Sequence, residues 1–347
     1  MSRLPDLASG FKMLKEVDLN AIRRQGEQPF HIAVVGAPGV GKSTLINQLL
    51  SGPGMPANEF LRPISEHRLD QEIFVQPYSR VILLLDANQN GNLTEHQVLD
   101  RLRSYHVPVI VCYNKIDLIQ NSQAVSNDAL RWQGTEVTAI AANDRETLLQ
   151  KLVPVLLRLY KDQEILLARH LPLLREPVSQ KLIEDACFIN AAYSLTTGLA
   201  AMNILLTVPL NVADMVMLTK NQALMAYKIS LAFALPADWR QTIPKLTAVV
   251  GTGFIWRTIA RQLAGLVPVI GVVPKVAVAY AGTYATGQAI YRWCAHNEKV
   301  SPKMLRDMYS KALVRGRQVA RSMISRRRNA GQENSMEKES LVETADL

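Results

Sequence analysis

Eight residues constrain this chain more than any others. Gly36-Ala37-Pro38-Gly39-Val40-Gly41-Lys42-Ser43 follows a continuous apolar run, Phe30–Val35, and opens a stretch of helical character, Ser43–Leu50. A buried strand, a glycine-rich turn and a helix in that order make a phosphate-binding loop. Its three glycines let the backbone curl so that the N–H groups face inward. Those donors, with the positive end of the helix, hold α- and β-phosphates. Lys42 spans the β- and γ-phosphates. Ser43, followed by Thr44, places its hydroxyl on Mg²⁺.

Elements of alternating type follow. Val81–Leu85 and Val107–Cys112 are apolar runs of the kind found in strands buried on both faces, and Val137–Ile140 is a shorter one. Helical spacing occupies 94–105, with Val98, Leu102 and Tyr105 on one side. A further helix is expected near 123–133, stopped by Gly134. Asn143 with Glu146 reads as a capping box for a helix running to Tyr160. Strands alternating with helices specify a doubly wound α/β sheet. A short polar helix is expected at 11–28.

Asn114-Lys115-Ile116-Asp117 begins 72 residues after Lys42 and closes an apolar strand. A carboxylate there accepts from guanine N1–H and N2–H₂ together. Adenine offers no such pair and is rejected. Asn114 is expected to tie this loop to the phosphate loop, and the stem of Lys115 to cover one face of the base. Thr138-Ala139 closes the next strand, where a backbone N–H can reach guanine O6.

Gly36–Ser43, Val81–Asp86 with Ala87, and Asn114–Asp117 resemble the bacterial Era/Der-like GTPases of the translation-factor-related class. The resemblance covers 30–160 and implies GTP and GDP as ligands, Mg²⁺ as cofactor and a switch cycle. The stretch Glu16–Ser43 and the proline-broken apolar helices after 178 resemble a bacterial group in which an Era-like GTPase is fused to a helical domain thought to associate with membranes. The expected division is a helical extension at 1–29 and the GTP-binding domain at 30–160. A charged linker follows at 161–177, then a helical domain at 178–328 and a disordered acidic tail at 329–347.

One part of the pattern is missing. Such GTPases place two strands, a switch threonine and an Asp-x-x-Gly motif between the phosphate-loop helix and the next buried strand. Residues 52–79 hold no Asp-x-x-Gly, and no threonine lies between Thr44 and Thr94. The nearest stretch, Asp70-Gln-Glu-Ile73, lacks the glycine. Lys42 and Mg²⁺ can stabilise transferred charge, but no evident residue orients the attacking water. Glu66, Asp70, Gln71 and Glu72 are candidates for a substitute, and each reads first as a surface polar residue. Nucleotide binding is therefore the firmer expectation, and a GTP-binding scaffold without turnover stays open beside a GTPase.

In the second half the β signal disappears. Ala186–Ala213 runs 28 residues without a charge, long enough to cross a bilayer. Ala277, Ala281, Ala285 and Ala289 recur at four-residue spacing, which brings helices close in membranes and in soluble bundles alike. Spanning, surface insertion and a soluble bundle all remain open. From Lys299 to Arg328 there are ten basic residues against Asp307, which accounts for the chain's net charge of +9. Such a helix seeks phosphate, either of anionic lipid or, less favoured here, of RNA. No Gly-x-x-Gly clamp or interleaved aromatic pattern supports RNA. A membrane protein and a second copy of the chain are further candidate partners. Cys112, Cys187 and Cys294 lack metal-ligand spacing and fit a reducing cytosol. No signal peptide is expected, so the protein is placed in the cytoplasm, peripheral or integral at the membrane's cytoplasmic face.

Overall fold

The apolar runs become five parallel strands in the order β2-β1-β3-β4-β5. They are β1 (His31–Val35), β2 (Ile64–His67), β3 (Ser79–Asp86), β4 (Val109–Asn114) and β5 (Glu136–Ala139). Four of five residues in β1 and all six in β4 are buried, as a parallel sheet covered on both faces requires. This is an α/β P-loop fold followed by a helical region. The computed structural model describes residues 19–55, 63–70, 79–89, 93–104, 106–119, 132, 134–203, 212–238, 241–242, 245–246 and 272–345. The chain divides into two compact units. One is Asn20–Val178 with Leu231–Ala237, and the other is built chiefly from Ser179–Ser230 and Asp238–Leu347.

In the first unit, α1 (Leu19–Gly26) is the described part of the helix expected at 11–28. The phosphate-loop helix α2 spans Lys42–Leu49, and α3 spans Leu93–Ser104 with Val98, Leu99 and Leu102 buried. The helix expected near 123–133 falls almost wholly outside the described residues. Of its end, Trp132 is buried and Gly134 has φ +75°. The capping box expected on Asn143 does not form. Asp144 is the cap and accepts from the amides of Glu146 and Thr147. The helix then runs as α4 (Arg145–Thr147), a wide π turn (Leu148–Leu152) and α5 (Val153–Leu159). Pro154 lacks the N–H that a regular turn would bond to Gln150, which accounts for the widened turn just before it.

The stretch expected as a linker is part of this unit. Residues 164–170 form α6 (Glu164–His170), and Ile165, Leu166, Leu167, Leu171, Leu173 and Leu174 are buried. Two apolar clusters between charged neighbours outweigh the charges, because each leucine contributes about 2 kcal/mol when it leaves water. His170 stacks on Phe30 at 4.9 Å, and Phe30 meets Tyr160 at 6.1 Å. Burial, then the nearby Arg169 charge, push His170 down to about 4.

The second unit is helical: α7 (Arg175–Asn203), α8 (Val212–Ala232), α9 (Val272–His296) and α10 (Pro302–Ala345). The first four residues of α7 and the last two of α8 belong to the first unit. Ala277, Ala281, Ala285 and Ala289 are all buried. A Cβ on Gly316 of α10 would stand 2.8 Å from the Ala277 carbonyl, so α9 and α10 pack backbone to backbone. Polar groups lie inside this bundle. Asn190 and Gln222 both donate to Thr283 Oγ1, at 2.8 and 3.1 Å, and Thr283 donates to the Ala279 carbonyl.

Among the described residues no helix is long and apolar enough to cross a membrane. The span expected at Ala186–Ala213 is described only in part. Its first part is the C-terminal portion of α7, where Asn190 and Ser194 are buried, and 204–211 lie outside the described residues. The tail expected to be disordered is helical through Ala345. Its residues are mostly good helix formers and include no proline.

Candidate nucleotide-binding site

A site can be located from topology alone. From β1 the chain first turns to one side to make β2, then to the other to make β3, β4 and β5. The crevice beyond the carboxyl ends of β1 and β3 is the place where open α/β sheets bind ligands. Gly36–Gly41 leaves β1 there, Asp86-Ala87 leaves β3, and Asn114–Asp117 leaves β4.

The phosphate loop keeps its shape through its glycines and through Asn114. Gly39 and Gly41 have φ of +77° and +95°. A Cβ on Gly41 would stand 2.3 Å from the Asn114 side-chain nitrogen. That closeness is used: Asn114 Nδ2 donates to the Val40 carbonyl at 2.7 Å, and Asn114 Oδ1 accepts from the Ala142 amide at 2.7 Å. One buried side chain therefore joins the phosphate loop, the end of β4 and the segment after β5. Ala37, Pro38 and Val40 carry the loop between the glycines, and Thr44 follows Ser43 in the first turn of α2.

Lys42 is 5% exposed and donates to the carbonyls of Gly36 and Ala37, at 3.1 and 2.9 Å. Its ammonium is also 3.6 Å from Glu66 Oε1. Ser43 donates to Glu66 Oε2 at 2.9 Å. Glu66 arrives on β2, opposite Val34 in the register. Of the four substitutes for the missing switch, Glu66 is the one placed at Lys42 and Ser43. Asp70 pairs instead with Arg68 at 3.2 Å, and residues 71 and 72 lie outside the described residues. Nothing in Ile64-Ser-Glu-His67 announces a strand. It is short, half polar and at the sheet edge, so its place depends on pairing with β1.

The Asn114–Asp117 loop is ordered by a second contact absent from the sequence reading. Lys115 has φ +66° and its ammonium donates to Asp86 Oδ2 at 2.6 Å. Burial pushes the Asp86 carboxyl up, but the Lys115 and Asn88 hydrogen bonds outweigh it and hold the group below the usual carboxylate range. The stem of Lys115 is thus fixed from both ends. Asp117 is exposed and accepts from Asn143 at 3.5 Å. Thr138 turns its hydroxyl to the Lys151 carbonyl, 3.4 Å away. Ala139 pairs with Tyr113, and the Ile140 amide donates to the Tyr113 carbonyl.

The donor set suits a nucleotide and its metal. The Gly41 cradle admits no side chain, and Lys42 supplies a buried cation. Ser43 supplies a hard hydroxyl oxygen, the ligand type Mg²⁺ requires, and it is held by Glu66 at 2.9 Å.

No protein-family model matches the chain. It is 29% identical over 143 residues to the GTPase Der of Solidesulfovibrio magneticus, covering 32% of each protein. It is 28% identical over 120 residues to the GTPase Der of Ruminiclostridium cellulolyticum, covering 25% of this chain and 27% of that one. The chain thus spans about a third or less of the length of these curated relatives. Both matches support a P-loop GTPase and give no support to a fused membrane domain. A crystal structure of an S. thermophilus NFeoB mutant bound to GDP aligns with 84% of this chain and 99% of its own. The two share 13% identity, with a TM-score of 0.26.

Proposed function

We propose that this chain binds GTP and GDP with Mg²⁺ and works as a slow GTPase switch. The observation that carries the reading is Asn114, held between the Val40 carbonyl and the Ala142 amide. A phosphate loop cross-linked to an Asn-Lys-x-Asp loop has a recognisable use: it fixes the distance between phosphates and base. Asp117 is the residue assigned to guanine, Lys42 to the β- and γ-phosphates, and Ser43 to the metal. Thr138 and Ala139 stay as the candidates near guanine O6. Bound Mg²⁺ would neutralise charge on the β- and γ-oxygens.

Entry of a triphosphate requires Lys42 to leave the Gly36 and Ala37 carbonyls and Glu66. Those contacts hold the ammonium in the loop until phosphate oxygens replace them. Glu66 then stands beside Ser43 with a free carboxylate, and we assign it the orientation of water that the absent Asp-x-x-Gly motif leaves unfilled. The Era/Der-like resemblance and the two Der matches support the GTPase side of this reading.

The helical unit is proposed as the effector end. Lys303, Arg306, Lys311, Arg317 and Arg321 are exposed on α10, which favours an anionic membrane surface, or a membrane protein, as partner. A second copy of the chain and RNA are the rival partners.

GTP turnover by the full chain, with and without anionic vesicles and with Lys42→Ala as control, tests the reading. Turnover that Lys42→Ala removes and Glu66→Gln lowers by about 100-fold supports it. Tight GTP binding with no turnover makes the protein a binding scaffold. Absence of guanine-nucleotide binding refutes the proposal.

A further inference from the structure

Arg175 is wholly buried, and it serves no part of the nucleotide site. It opens α7. Its Nη1 donates to the Pro53 carbonyl at 2.8 Å and also to the Met55 carbonyl. Its Nε contacts the Ala168 carbonyl at 3.4 Å, and the guanidinium lies 5.6 Å over the Phe233 ring. Burial, then Arg169, push it down to about 10. A guanidinium taken from water is costly unless its donors are used. No carboxylate is among its described partners: backbone carbonyls take Nη1 and Nε, and the buried Nη2 has no hydrogen bond. Pro53 and Met55 lie just beyond α2, where the chain leaves the phosphate-loop helix for the strand that carries Glu66.

Other contacts hold the same short segment. Arg145 donates to the Ser51 carbonyl at 3.3 Å. A Cβ on Gly52 would stand 2.2 Å from the Pro172 carbonyl oxygen, so the loop lies directly on the chain that leads into α7. All of these residues belong to the nucleotide unit, and α7 itself continues as Ser179–Asn203 in the helical unit.

We propose that Arg175 is a positioning residue that transmits the nucleotide state to α7. The described segment from Lys42 through α2 to Met55 has two anchors. At one end Glu66 holds Lys42 and Ser43, contacts that phosphate and metal must displace. At the other, Arg175 grips Pro53 and Met55 from the first turn of α7. A shift of α2 on nucleotide exchange is carried along 50–55 to the Arg175 carbonyl contacts, and α7 takes two settings biased by that segment. The inference rests on the guanine-nucleotide reading above.

The test is amide exchange across 176–203 in the full chain, loaded with GDP or with a non-hydrolysable GTP analogue, each with Mg²⁺. Wild type should show exchange that differs about tenfold between the two states, a usual size for coupled sites. In Arg175→Met the difference should fall below about twofold, with both nucleotide affinities within about threefold of wild type. Arg175→Lys, which keeps the charge but not the planar fork, should restore only part of it. Gly52→Ala attacks the loop side and should uncouple α7 in the same way; it keeps the question answerable if Arg175→Met does not fold. Binding without any state-dependent exchange in wild type overturns the inference alone. So does a full difference in Arg175→Met, or in Arg175→Lys and Gly52→Ala together. Failure of wild type to bind guanine nucleotide overturns the functional reading and this inference with it.

Discussion

The nucleotide unit and the helical unit bury polar side chains for opposite ends. In the first, Lys42 and Asn114 are buried at the carboxyl edge of the sheet, and their contacts are with loops that a ligand can rearrange. In the second, Asn190, Gln222 and Thr283 are buried in the middle of helices and contact one another. The difference teaches where each unit keeps its freedom. Polar groups at a strand end stay available for chemistry. Polar groups inside a bundle specify one register of three helices, since any slip leaves donors unpaired in a dry core.

The sharpest way to break this contrast is Lys42→Ala. GTP affinity should drop about 1000-fold, because a charge-assisted contact to two phosphates is lost, while thermal stability changes little. Titration calorimetry and a melting curve on one preparation check both halves. Asp117→Asn comes next. It should lower GTP affinity about 100-fold and favour xanthosine triphosphate, whose altered edge suits an amide. Unchanged GTP binding would remove Asp117 from the site.

Thr283→Val tests the other side. It strips Asn190 and Gln222 of their shared acceptor and should cost the helical unit about 2 kcal/mol, with guanine-nucleotide affinity unaltered. Faster amide exchange around 276–290 is the readout. An equal loss of nucleotide affinity would show that the two kinds of buried polarity are not separate.

An effect of similar size concerns pH. His170 is held near 4 in the folded chain and titrates near 6.5 when unfolded. Between these values the unfolded chain binds more protons, so stability is full above about 6.5 and falls as pH drops toward 4. The loss should be about 2 kcal/mol after allowing for the partial exposure of the ring. Melting temperatures at pH 7 and pH 5 check it, and His170→Phe should flatten the dependence.

Much of the nucleotide unit was legible because its signals are local. Gly36–Ser43 needs only its neighbours to be read, and the apolar runs of β1, β3 and β4 show their burial directly. What escaped depends on pairing over distance. The strand β2 has no apolar signature, and its place comes from β1. Glu66 becomes notable only once that register puts it against Ser43. Asp86 and Lys115 are 29 positions apart, and Arg175 is more than 100 from Pro53. Residues 164–174 misled for a different reason. Their leucines are visible, but charges on either side suggest solvent, and only packing decides. In the helical unit, alanine spacing identified a packing face but not its medium, because close helix contact looks the same in lipid and in water.

The chain path carries a practical consequence for anyone dissecting this protein. Leu231–Ala237, which is the last two residues of α8 and the five that follow, returns to the nucleotide unit. There Phe233 is 2% exposed, and the Leu231 and Leu235 carbonyls accept from Arg169 at 3.2 and 3.1 Å. No single cut yields both units intact. Truncation after Val178 deletes the ring beneath Arg175 and strips Arg169 of two acceptors, so the fragment would be judged unstable for want of a seven-residue clasp encoded far downstream. A transplantable nucleotide module needs that clasp supplied through a short artificial bridge, and its absence from a fragment would be mistaken for a defect in the nucleotide fold itself.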